Sequence, residues 1–74
     1  MKLIEIVEIY VDLVNLEKSI PEYEFHAKSE INSLRSKYHQ MLMDKMREEK
    51  IEFADRFDAM SKAFELVQKY RLSA

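Results

Sequence analysis

Between Leu3 and Leu16 the polar positions are Glu5, Glu8, Asp12 and Asn15, spaced three, four and three apart. That spacing is one narrow stripe on a helix, and the ten residues between these positions are all apolar. Six of the ten are β-branched, which leans toward strand. The period outweighs that propensity, because strict alternation fails at Glu5 and Glu8 and no second strand is available for pairing. A first, short amphipathic helix is therefore expected over about 3–17. Its apolar arc is too wide to face water and has to be covered on more than one side, by the rest of the chain or by another chain.

The stretch "EKSIPEYE" marks a boundary. Ser19 and Glu22 have capping-box spacing and Pro21 suits a first helical turn, so a second helix is expected to start near Ile20. From there to about Leu72 the chain holds no strong helix breaker. Ile20, Ala27, Ile31, Leu34, Tyr38, Met41 and Leu42 form one heptad-like stripe; Met46, Phe53, Phe57, Met60, Phe64, Val67 and Arg71 form another. At ~100° per residue the second stripe sits about 60 to 70° ahead of the first, an offset that a four-residue stutter within 42–53 would produce. A tight turn would permit the same offset. Residues 41–57, "MLMDKMREEKIEFADRF", contain no Gly, Pro, Asn or Ser, and helical hairpin turns usually recruit such residues. The expected element is thus one continuous helix over about 20–72, roughly 75 Å long at ~1.5 Å per residue. The alternative is a turn near 47–51.

These elements imply an all-α fold and a single small helical domain over 1–74. The expected architecture is a coiled-coil-like helical-bundle homodimer, in which the long helices pair and the first helices cover the seam. Antiparallel pairing would set the Met and Phe stripe of one chain against the Ile and Leu stripe of the other. The alternative architecture is a monomeric three-helix bundle.

Composition supports the class. The 74 residues include no Gly, one Pro and no Cys, which argues against a β-rich fold, a loop-rich enzyme, a disulfide framework and a thiolate metal site. So small a chain needs very regular packing or oligomerisation to be stable. The net charge of −2 is too small to signal a general nucleic-acid binder. Glu5, Glu8 and Asp12 interrupt the opening apolar run, so neither a signal peptide nor a membrane span is expected; a cytoplasmic location, which the missing Cys suits, is the expectation.

Candidate chemistry is sparse. Glu22, His26 and Glu30 would align on one helical face, but without the Glu-x-x-His pairs and further carboxylates of a di-metal bundle, so no metal or cofactor is expected. Arg35, Lys37 and His39 lie in a stretch free of acids between Glu30 and Asp44; with Lys28, Asn32 and Ser36 they give the helix a polar, basic side that could meet phosphates. Ordinary solvated surface is the competing reading. Phe25 and Met43, five turns apart, share a face about 150° from the main stripe and mark a seat for the first helix or a surface for a protein partner. The few Ser and His residues have no loops to shape a catalytic pocket, so no enzyme is expected. Two functions remain: a small interaction or regulatory protein (adaptor, inhibitor or oligomerisation module), and a nucleic-acid-associated regulator using the basic side of the long helix.

Overall fold

The computed structural model describes residues 1–73. Three helices account for most of them: α1 over Leu3–Ser19, α2 over Phe25–Glu48 and α3 over Arg56–Ser73. The continuous helix over 20–72 is therefore broken, and the longest dimension of the molecule is 40 Å. The chain is an all-α three-helix bundle.

The break has a local cause. Lys50 takes a left-handed backbone conformation with φ of 60°. This lets the Ile51 N–H donate to the Met46 carbonyl at 2.8 Å and the Lys50 N–H donate to the Arg47 carbonyl at 3.1 Å. Those two bonds are the Schellman ending of a helix, built here on Lys where Gly is usual. Ile51 then folds back against the core. The chain restarts at Asp55, whose Oδ1 accepts from the Asp58 N–H at 2.8 Å, while Asp58 Oδ2 accepts from the Ala54 N–H at 2.8 Å. Asp58 also pairs with Lys62 at 2.7 Å, and the lysine and the Ala54 N–H together hold its carboxyl below the usual carboxylate range. Because a non-glycine residue in the left-handed region costs roughly 1–2 kcal/mol, Lys50→Gly is expected to stabilise the fold by about 0.5–1 kcal/mol after the greater freedom of unfolded Gly is subtracted. A rise in the thermal midpoint would register it; Glu48→Gly, inside α2, should lower the midpoint instead.

The first boundary also differs. Ser19 remains in α1 and donates its hydroxyl to the Leu16 carbonyl at 2.8 Å, so it does not cap the next helix. Glu22 is drawn to Lys28 at 2.8 Å, Pro21 accepts from the Glu24 N–H at 3.0 Å, and α2 begins only at Phe25.

α1 packs against both other helices, while α2 and α3 touch each other sparingly. Its wide apolar arc is thereby covered from two sides: Leu3, Ile6, Val7, Tyr10, Val11 and Val14 meet Leu42, Met43 and Met46 of α2 and Ala59, Ala63 and Val67 of α3. The buried line of α3 runs at four-residue intervals and starts with two alanines, whose small side chains let its backbone lie close to its neighbours. Of the expected stripe, Leu42, Met46 and Val67 are buried, whereas Ile31, Tyr38, Phe53, Met60 and Phe64 are half-buried and Leu34 is exposed. Phe57 points to solvent at 71% exposure, because Ala59 and Ala63 occupy the face turned to the core.

Candidate interaction surface

At the centre of the bundle, one polar group joins three helices. His39 of α2 is 5% exposed. Its Nε2 lies 3.0 Å from the Arg56 carbonyl at the start of α3, and its Nδ1 lies 3.3 Å from the Tyr10 hydroxyl of α1. A carbonyl only accepts, so Nε2 carries the proton, and in the neutral imidazole that burial favours Nδ1 accepts from the Tyr10 hydroxyl. Burial is the main reason that the His39 pKa is lowered and the Tyr10 pKa raised. The Tyr10 ring meets the His39 ring edge-on at 5.1 Å and Phe64 at 6.5 Å.

This arrangement corrects the reading of His39 as a phosphate contact. It faces inward, and its neighbours on the basic side are mostly engaged: Arg35 Nε stands 2.7 Å from Glu17 Oε2, out of line for a hydrogen bond, and Lys28 is paired with Glu22. Lys37 alone of the four named residues projects freely into solvent. The Glu22–His26–Glu30 face does not form either, since Glu22 precedes α2. Met43 and Phe25 part company as well: Met43 belongs to the core, and Phe25, near the start of α2, is 76% exposed. Met43 is thus a seat for the other helices and is not accessible to a partner.

The uncovered surface lies elsewhere. Ile9, Leu13, Leu16, Ile20, Ile31 and Leu34 are half-buried or exposed, and none belongs to the core cluster or the side chains packed on it. On α1, Ile9, Leu13 and Leu16 sit about 90–150° round the axis from the core line; on α2, Leu34 is displaced by the same amount, as are Tyr38 and Met41, whose half-buried side chains pack on the edge of the core. Contacts fix the side to which both lines turn. Arg71 of α3 reaches Asp12 at 2.9 Å and Glu8 at 3.6 Å on one flank of α1, whereas Glu17, on the other flank, reaches Arg35 of α2. Ile9, Leu13 and Leu16 lie beyond that second flank. On α2, His39 turns toward α3 and Leu34 and Met41 turn the opposite way. The paired helices α1 and α2 thus form a layer covered by α3 on one face and, among the described residues, by no helix on the other.

The α1 half of this face was visible as a spacing of three and four along Ile6, Ile9, Leu13, Leu16 and Ile20, a second seam inside the wide apolar arc. The width of the arc implies cover on more than one side, but the spacing alone does not say which seam faces the rest of the chain. Comparison with protein-family models, with curated proteins and with solved structures finds no match. Among the described residues no helix is long and apolar enough to cross a membrane.

Proposed function

We propose that the chain is a small protein–protein interaction module without chemistry of its own, of the adaptor, inhibitor or oligomerisation kind, and that it works as a homodimer. The observation that carries this reading is the apolar face of the α1–α2 layer opposite α3. Contiguous apolar patches of more than a few hundred Å² are rare on monomers and usually belong to an interface. The accessible surface supports the same reading. It amounts to 5296 Å², whereas a compact monomer of this 8.9 kDa mass averages about 4,800 Å². The excess, roughly 500 Å², lies at the low end of interface size, below the about 800 Å² per partner of a standard interface. In this reading the protein is cytoplasmic, in keeping with a chain that has no cysteine to oxidise.

The test is mass in solution by light scattering. The chain is expected at about twice 8.9 kDa, and the double variant Leu16→Glu/Leu34→Glu at the monomer mass with its far-UV circular dichroism retained. Both replaced residues are outside the core, so folding should survive the added charges. A wild-type chain that stays at monomer mass into the high micromolar range overturns the dimer.

A further inference from the structure

We draw no further inference here: the strongest candidate, the seating of a second copy on the apolar face of the α1–α2 layer, belongs to the surface already described, and nothing in the structure shows how a copy would cover it, because the charges on α1 and α2 are largely paired within the chain.

Discussion

Leu42→Ala is expected to destabilise the protein by about 2–5 kcal/mol, enough to leave a large fraction of the chain unfolded at 37 °C. Leu42 is fully buried and belongs to the cluster that joins α1, α2 and α3. Truncation removes three carbons from the interior, and the cavity left behind adds to the lost burial because helices held by close contacts cannot all move in. A domain of this length has a total stability of roughly 4–11 kcal/mol, so the loss is a large share of the whole. Leu72→Ala serves as the control. Leu72 is 79% exposed near the end of α3, and its truncation should change stability by less than about 0.5 kcal/mol. Urea unfolding of both variants, at one protein concentration, measures the difference. Equal midpoints for Leu42→Ala and the wild type would mean that the interior is not packed as described.

Leu42 is also an example of what the sequence makes plain. Its place in a heptad-like stripe predicts burial, and the polar stripe Glu5–Glu8–Asp12–Asn15 predicts α1 against its β-branched composition. The turn after α2 is harder to read because its chemistry is spread over unlikely residue types. A Schellman ending needs one residue at positive φ, and Lys50 accepts that strain because Ile51 gains burial in return. The restart was legible in principle: Asp55 and Asp58 stand at cap spacing just before an apolar run. The face of α3 was not. Large residues draw the eye to Phe57, Met60 and Phe64, yet close helix packing rewards Ala59 and Ala63, which carry little hydrophobic signal of their own. The buried place of His39 is not legible in the sequence for a related reason. Its partners lie on α1 and at the start of α3, so no spacing along its own helix could reveal them.

That buried histidine makes the fold sensitive to acid. Its folded pKa is lowered from the ordinary 6.5, chiefly by burial. Above about pH 6.5 the imidazole is neutral both folded and unfolded, and the stability is fully present. As the pH falls below that value, the unfolded chain takes up a proton that the folded chain resists, and stability declines until the folded pKa is reached. Among the groups around it the Arg56 carbonyl, which accepts from Nε2, favours the protonated ring, but burial outweighs it. Arg35 of α2 and Arg56 of α3 are cationic, and the Tyr10 hydroxyl of α1 already donates to the only nitrogen that could take the proton. The thermal midpoint is therefore expected to be flat from pH 8 to 7 and to fall between about pH 6.5 and 5. His39→Phe should lose that slope and, at pH 7.5, about 1–3 kcal/mol of stability, because the buried Tyr10 hydroxyl is left without its acceptor. Adding Tyr10→Phe should recover part of the loss, since removing both members of a buried hydrogen bond costs less than stranding one. If His39→Phe retains the wild-type pH profile between pH 7 and 5, the acid sensitivity arises elsewhere and the neutral, three-helix role assigned to His39 fails.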